Sequence, residues 1–428
     1  MDFNLLAPRE QISRLMGRLY AAGLTNLSGG NLSIKDSDGS IWITPSGIDK
    51  ATLTPNDIMC LLPDGTITGP HKPSLEYPFH RAIYERRPDL RAVVHAHPAA
   101  LVTFSLARII PDTRIIPQAM RVCGRVGYAP YATPGSEALG TQIAQAFANG
   151  FDSVLLENHG AVAGGGSLLE AYQRMETLDF CGRTLLRARA IGSPHSLTDE
   201  QLAIFDIDID QMPEFDVEEH SSLERELRTQ ISVILNRACE RQLMISTEGV
   251  ISARLDETSF LITPTGQDRR NVANDALVLI RDGARERGKL PSRAVTMHQA
   301  IYARHPTVNA IITAQPPNAT AYAVTAARFD TRLIPESYVM LRDVPLLPYG
   351  SPYTAPAMVA ETVSARNPVA LIQNDAVLTL GGSVLQAFDR LEVLELSARA
   401  LIDTLLLGEL QPMDDAALED LRHAFALE

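Results

Sequence analysis

The sequence predicts an α/β protein made of two tandem copies of one unit, and three observations carry this. Short strand-like apolar runs alternate with stretches of helical apolar spacing, the second half repeats the first at a nearly constant offset, and the 428 residues suit a prior of two to three domains. The repeat is explicit. Thr113-Arg114-Ile115-Ile116-Pro117 recurs as Thr331-Arg332-Leu333-Ile334-Pro335, an offset of 331 − 113 = 218. The corner Thr44-Pro45-Ser46-Gly47 returns as Thr263-Pro264-Thr265-Gly266, and Gly165-Gly166-Ser167 as Gly381-Gly382-Ser383. Self-similarity at a fixed period marks a duplicated structural unit. We place the first copy at residues 1–190, an acidic connector packed on the outside at 191–222, and the second copy at 223–428.

Along the first copy, Pro8 to Ala22 carries Ile12, Leu15, Met16 and Leu19 at helical spacing and stops at Gly23. Leu24 to Thr44 reads as a strand pair turned at Asp38-Gly39, with the glycine-rich corner Ser28-Gly29-Gly30-Asn31 ahead of it. Such corners can turn successive backbone N–H groups toward an anion. Ile41 to Thr44 runs into a second corner, Pro45-Ser46-Gly47, and a strand follows at Ile58 to Leu62. Lys72-Pro73-Ser74-Leu75-Glu76 then leads into a helix with Pro78 near its start, which places Glu76 at a helix N-terminus. Further helices are expected at Ala99 to Ala107, Glu137 to Ala148 and Leu168 to Ala190.

The chemistry concentrates in Arg91-Ala92-Val93-Val94-His95-Ala96-His97-Pro98. Residues i and i+2 of a strand share a face, so His95 and His97 leave one side of the sheet together, and Pro98 removes a backbone donor where the strand stops. Two neutral imidazoles on one face are two-thirds of a three-histidine metal site. The candidate third is His159, in Leu155-Leu156-Glu157-Asn158-His159-Gly160, again an apolar run ending in histidine and glycine. The plain alternative is core or turn histidines. The second copy argues against it. There His95 and His97 become Thr313 and Gln315, His159 becomes Asp375, Glu76 becomes Ala294 and Asn31 becomes Val250, while the apolar scaffold between them is kept. One metal ion per chain is therefore expected, with none in the second copy. His80 has a counterpart in His298 and reads as a packing residue, and His71 as an exposed loop histidine.

A net charge of −13 argues against nucleic acid or an anionic membrane surface as partner. The four cysteines are far apart, with no Cys-x-x-Cys, which suggests neither a disulfide framework nor a cysteine metal site. No signal-peptide pattern opens the chain and no window approaches the length of a membrane span, so a cytoplasmic location is expected.

Taken together, Gly30-Asn31, Thr44-Pro45-Ser46-Gly47, Pro73-Ser74-Leu75-Glu76, His95-Ala96-His97, Ala129-Pro130-Tyr131-Ala132 and Asn158-His159-Gly160 resemble the class II aldolase/adducin family, in its order and at its separations. The resemblance implies two tandem three-layer α/β/α domains, each with a largely antiparallel central sheet flanked by helices. It implies that His95, His97 and His159 hold a divalent metal, zinc first and manganese or another divalent ion as the alternative. Glu76 would be the general acid/base, and Asn31, Ser46, Gly47 and Ser74 would line a phosphate or carboxylate pocket. The implied activity is that of a metal-dependent lyase, cleaving or forming a carbon–carbon bond next to a carbonyl in a small hydroxylated acid or sugar (phosphate). The cation would stabilise a developing enediolate while the carboxylate moves the proton. Decarboxylation, dehydration and epimerisation are alternatives within the family, whose epimerases typically carry aspartate where Glu76 stands. A non-catalytic, adducin-like binding or assembly protein is the reading from another class, and it describes the second copy.

Two departures stand out. Leu75 occupies a position where members with phosphate substrates often have a second hydroxyl residue. Family aldolases also use a tyrosine from the adjacent subunit, and Ile116 to Gly127 contains none. The second copy has Tyr338 in that stretch, opposite Met120. We therefore expect a homo-oligomer in which the second copy packs beside the active one and supplies Tyr338, acting on a small-molecule substrate.

Overall fold

A computed structural model describes residues 3–206 and 211–427. The chain divides into two compact units, Met1–Thr113 with Ala119–Arg183, and Arg114–Gln118 with Thr184–Glu428.

The first unit is built on an eight-stranded sheet of β1 (Asn31–Lys35), β2 (Ile41–Ile43), β3 (Met59–Leu61), β4 (Ile67–Thr68), β5 (Ala92–Ala96), β6 (Val126–Ala129), β7 (Ser153–Leu156) and β8 (Gly160–Gly165). Their spatial order is β4-β3-β2-β1-β5-β8-β7-β6, antiparallel except between β6 and β7. The hairpin turns at Asp38-Gly39 as expected: the Ser40 N–H donates to Asp38 Oδ1 at 2.8 Å, and Gly39 takes φ 89°, open to glycine at little steric cost. The first strand begins only at Asn31, because Gly30 also adopts positive φ (69°) and breaks the extended run.

Helices α1 (Pro8–Ala21), α2 (Tyr77–Arg86), α3 (Ala99–Ala107), α4 (Pro117–Cys123), α5 (Glu137–Ala148) and α6 (Leu168–Ile191) cover the sheet or connect its strands. The short α4 carried no sequence signal of its own. Strand β5 is buried along its whole length, as a strand covered on both faces must be. Val93 packs with Phe79, Ile83 and Tyr84 of α2 and Ile143 and Phe147 of α5. His95, two residues on, faces the same side, toward the start of α2.

The second unit repeats this plan. Its strands are β9 (Glu214–Phe215), β10 (Val250–Arg254), β11 (Ser259–Ile262), β12 (Val278–Arg281), β13 (Ala284–Glu286), β14 (Ala310–Ala314), β15 (Leu346–Leu347), β16 (Val369–Ile372) and β17 (Ala376–Gly381). The order β15-β16-β17-β14-β10-β11-β12-β13-β9 is that of the first sheet with one added edge strand. Its helices are α7 (Asp199–Ile204), α8 (Ser222–Glu240), α9 (Val295–Arg304), α10 (Pro317–Ala323), α11 (Pro335–Leu341), α12 (Ser351–Thr354), α13 (Pro356–Thr362), α14 (Val384–Thr404) and α15 (Asp415–Ala424). The duplication is thus visible strand by strand.

The stretch read as an acidic connector is more than a tether. It supplies α7, capped by the reciprocal Thr198 and Gln201 bonds, and the edge strand β9, parallel to β13. Phe205, just after α7, is 2% exposed and lies edge-on to Tyr353 with the Arg293 guanidinium over its ring. Residues 207–210 of the connector, Asp208 and Asp210 among them, lie outside the described residues. No helix among the described residues is long and apolar enough to cross a membrane.

Candidate metal centre

Three elements of the first unit bring the predicted histidines together. His95 closes β5, His97 follows it before Pro98 opens α3, and His159 sits in the tight turn from β7 to β8. That turn needs its sequence: Asn158 takes φ 54°, a left-handed conformation asparagine tolerates, and the His159 N–H donates back to Leu156 O at 3.2 Å. Gly160 is required because a Cβ there would meet Ala96 O at 2.5 Å and His97 Cδ2 at 2.7 Å. Gly29 lies against the site too, its missing Cβ leaving 2.8 Å to His97 Nδ1. The three rings form a near-regular triangle, with centroids 4.7, 4.9 and 5.0 Å apart.

Each histidine offers one nitrogen, and these atoms lie within 4.8 Å of one another. His95 Nδ1 faces Ala161 O at 2.9 Å; donating there, it leaves the lone pair on Nε2. His95 Nε2 and His97 Nε2 face each other at 2.9 Å. Two lone pairs at that distance repel unless a proton or a cation lies between them. Burial, with repulsion from the other histidines, pushes His97 down to about 3, and burial with repulsion from His95 pushes His159 down to about 4. Both are therefore neutral ligands at neutral pH. Three convergent imidazoles with a carboxylate alongside fit a divalent ion that keeps an open position.

The carboxylate is Glu76, at the N-terminus of α2 as expected. Its Oε2 accepts from Asn31 Nδ2 at 2.7 Å and lies 3.3 Å from His95 Nε2, while Oε1 lies 3.5 Å from His159 Nε2. Oε1 is buried and accepts no hydrogen bond. Burial opposes the charge on Glu76, but attraction to and hydrogen bonding with His95 and the Asn31 amide outweigh it, and the carboxyl is held well below the usual range. Burial likewise opposes the imidazolium of His95, and Glu76 more than offsets it, so that histidine is raised.

Asn31, expected in the anion pocket, spends its side chain on positioning. Its cross-strand partner is His95 in the β1–β5 register, its amide holds Glu76, and its carbonyl oxygen meets His80 Nε2. Behind it, Ser33 Oγ bonds His80 Nδ1 at 2.7 Å and Tyr84 Oη at 2.7 Å. His80 is fully buried and pushed down to about 3 by burial, with repulsion from His95 adding to it. The sequence reading treated it as packing alone; its recurrence as His298 is a true structural signal that hid a second task.

The other predicted site residues form one corner. Ser46 N–H donates to Lys72 O at 2.9 Å and Ser74 N–H to Thr44 O at 3.2 Å, pairing the two segments, with Gly47 exposed at φ 70°. Ser74 Oγ accepts from the Glu76 N–H at 3.2 Å, which ties the corner to the carboxylate. Leu75 is 78% exposed beside it. The reading missed Lys50, fully buried behind this corner, whose Nζ donates to Pro45 O at 2.6 Å and which burial pushes down to about 8. His71 pairs with Asp57 at 2.9 Å. Tyr338 lies in α11 of the second unit, its Oη accepting from Arg422 Nε at 2.9 Å.

In the second unit the same positions hold Thr313, Gln315, Asp375, Ala294 and Val250, with Val250 paired to Thr313 as Asn31 is to His95. Among the described residues, the only cluster of three or more histidine, cysteine or carboxylate ligands able to hold a metal is the one in the first unit.

A duplicated α/β unit with three convergent imidazoles and a carboxylate in one copy alone defines the class. The profile described as Class II Aldolase and Adducin N-terminal domain matches residues 10–186 and 229–402. The chain belongs to that family, twice over. It is 34% identical over 200 residues to a 5-deoxy-D-ribulose 1-phosphate aldolase of Bacillus thuringiensis, covering 45% of this chain and 91% of the relative. It is also 34% identical over 179 residues to a 3-oxo-tetronate 4-phosphate decarboxylase of Haemophilus influenzae, covering 41% and 84%. Among solved structures, an L-fuculose 1-phosphate aldolase matches at 31% identity and a TM-score of 0.43, over 48% of this chain and 97% of that one.

Proposed function

We propose that the first unit is a divalent-metal-dependent lyase of the aldolase type, cleaving or forming a carbon–carbon bond next to a carbonyl in a small hydroxylated sugar or acid phosphate. The observation that carries this is Glu76 Oε1, a buried carboxylate oxygen without a hydrogen bond, set among three imidazoles. Zinc best suits the donor set of His95, His97 and His159. When bound, the ion supplies a Lewis acid that stabilises negative charge developing next to the carbonyl.

Glu76 moves the proton. Its Oε2 is occupied by Asn31, so Oε1 is the atom that takes a proton from the substrate in one direction and returns it in the other. Asn31 and His80 hold the carboxylate in place. The paired corners at Ser46-Gly47 and Ser74 offer N–H groups and hydroxyls to the anionic end of the substrate, with the Lys50 cation behind them. The relatives named above carry phosphate in their substrates' names, which supports a phosphorylated substrate despite Leu75.

A second reading, decarboxylation, is favoured by the 3-oxo-tetronate 4-phosphate decarboxylase similarity. The same carboxyl would then protonate the carbon left by carbon dioxide. Incubating zinc-loaded protein with 5-deoxy-ribulose 1-phosphate and with 3-oxo-tetronate 4-phosphate separates the two. Release of an aldehyde with a three-carbon ketose phosphate supports the aldolase, carbon dioxide the decarboxylase. No turnover of either compound, or of unphosphorylated analogues, by protein that has bound zinc moves the adducin-like binding role to first place.

A further inference from the structure

The turn that carries His159 is held differently from its counterpart in the second unit. There, Asn374 is 2% exposed, and its Nδ2 donates to Ile115 O and to His195 O, both at 2.7 Å and both within that unit. Asn158 stands at the same position with the same left-handed backbone, φ 54° against 51°, but is exposed and makes no such bond. The main-chain tether one residue earlier is common to the two units: the Glu157 N–H donates to Ala129 O at 3.0 Å, and the Gln373 N–H to Leu347 O at 2.9 Å.

The first turn has a tether of its own, the Glu157 side chain. Its Oε2 accepts from the Tyr131 N–H at 3.2 Å, and its Oε1 pairs with Arg108 Nη2 at 2.8 Å. The Glu157 side chain is 14% exposed, against 68% for Arg108, so the carboxylate end of the pair is the sheltered one. Arg108 caps α3, the helix that opens at Pro98 directly after His97. The ion pair therefore joins the far end of the helix beside His97 to the turn that presents His159.

Arg108 takes φ 55° and ψ 36°, a left-handed cap where glycine is the usual residue. An arginine there bears a steric cost that glycine avoids, and the guanidinium is what glycine lacks. In the second unit Ala326 and Gln373 occupy the equivalent positions, and these two side chains cannot form an ion pair. The clamp is present beside the three histidines and missing from the unit without them.

We propose that Glu157, held by Arg108, is a positioning residue for the metal centre. It fixes the turn from β7 to β8 so that His159 meets the ion together with His95 and His97. Groups outside the ligand sphere act in this way by limiting the conformations from which a ligand must be recruited. The proposal rests on the metal site argued above and is independent of which bond the protein cleaves.

The test is zinc affinity of the purified full chain, read by competition with a chelator, beside its denaturant unfolding midpoint. Glu157→Ala removes both side-chain contacts and should weaken zinc binding about tenfold. Arg108→Gly removes the exposed partner while relieving the left-handed backbone; a loss of about threefold is expected, with the midpoint unchanged or higher. Arg108→Lys keeps the cation and should bind zinc as the wild type does. The double variant should lose no more than Glu157→Ala alone, because the guanidinium then has no carboxylate to hold. Wild-type affinity in both Glu157→Ala and Arg108→Gly overturns the proposal. So do losses that add in the double variant, or that follow the unfolding midpoint. A wild-type chain that takes up no zinc overturns the metal site and this proposal with it, a failure told apart because it precedes any variant.

Discussion

Ser252, His298 and Tyr302 in the second unit are bonded much as Ser33, His80 and Tyr84 are in the first. Ser252 Oγ reaches His298 Nδ1 at 2.7 Å and Tyr302 Oη at 2.8 Å, against 2.7 Å for both bonds of Ser33. Only the next residue outward differs. In the first unit His80 Nε2 meets Asn31, which holds Glu76; in the second, Val250 replaces Asn31 and His298 Nε2 is buried with no partner. Burial pushes both histidines down to about 3, so each is neutral. The common core thus presents one imidazole nitrogen in each unit, and the candidate metal centre of the first is a single layer of side chains laid over it. The second unit lost that layer and kept what lies beneath.

Breaking that layer at its centre should have the largest effect. His95→Ala should remove the metal ion, read by elemental analysis of the purified protein, and reduce turnover by on the order of 10⁴-fold or more, while the second unit contributes no replacement site. Glu76→Gln should keep the metal but lower kcat by about 10³-fold with little change in KM, since it removes proton transfer alone. Metal loss in Glu76→Gln would mean the carboxylate is a ligand instead.

The second unit offers a stability counterpart. Burial, opposed by the Gln118 and Tyr353 hydrogen bonds, raises the Asp375 carboxyl from 3.8 to about 6. The folded state then binds the extra proton between those two values, so this group's contribution falls as pH rises through that window and remains unfavourable above it. Asp375→Asn should therefore stabilise the protein at pH 7 by on the order of 2–3 kcal/mol, with the gain vanishing below about pH 4. Denaturant unfolding at the two pH values checks this; an equal effect at both would trace it to packing.

The smallest expected effect sharpens the comparison directly. Asn31→Val installs the second unit's residue in the first, freeing Glu76 Oε2 and orphaning His80 as His298 is orphaned. A 10- to 30-fold loss in kcat, about 1.4–2 kcal/mol, is expected with metal content unchanged. A loss as large as that of Glu76→Gln would show Asn31 touching the substrate as well.

Much of this arrangement was legible in the residues. The helices at Ala99–Ala107 and Glu137–Ala148 follow their apolar spacing residue for residue. His-x-His before proline and a third His-Gly turn pointed to the three histidines that converge, because strand alternation and glycine turns are local rules. The connector's contribution was not legible. Its acidic composition gave no hint that Phe205 packs under Arg293 or that Glu214–Phe215 extends a sheet, since edge pairing depends on a strand some 70 residues away. Lys50 escaped notice because a lysine in a turn is ordinarily solvated, and only the folded corner buries it on Pro45 O.

The sequence by itself determined the duplication, the alternation of strands and helices, and which copy lacks the three histidines, because each is a matter of residue order and period. The tertiary structure alone decided the roles of Asn31 and His80. Their tasks depend on the β1–β5 register and on the start of α2 lying over the same sheet face, contacts 45 and 49 residues apart in the chain that no local pattern encodes.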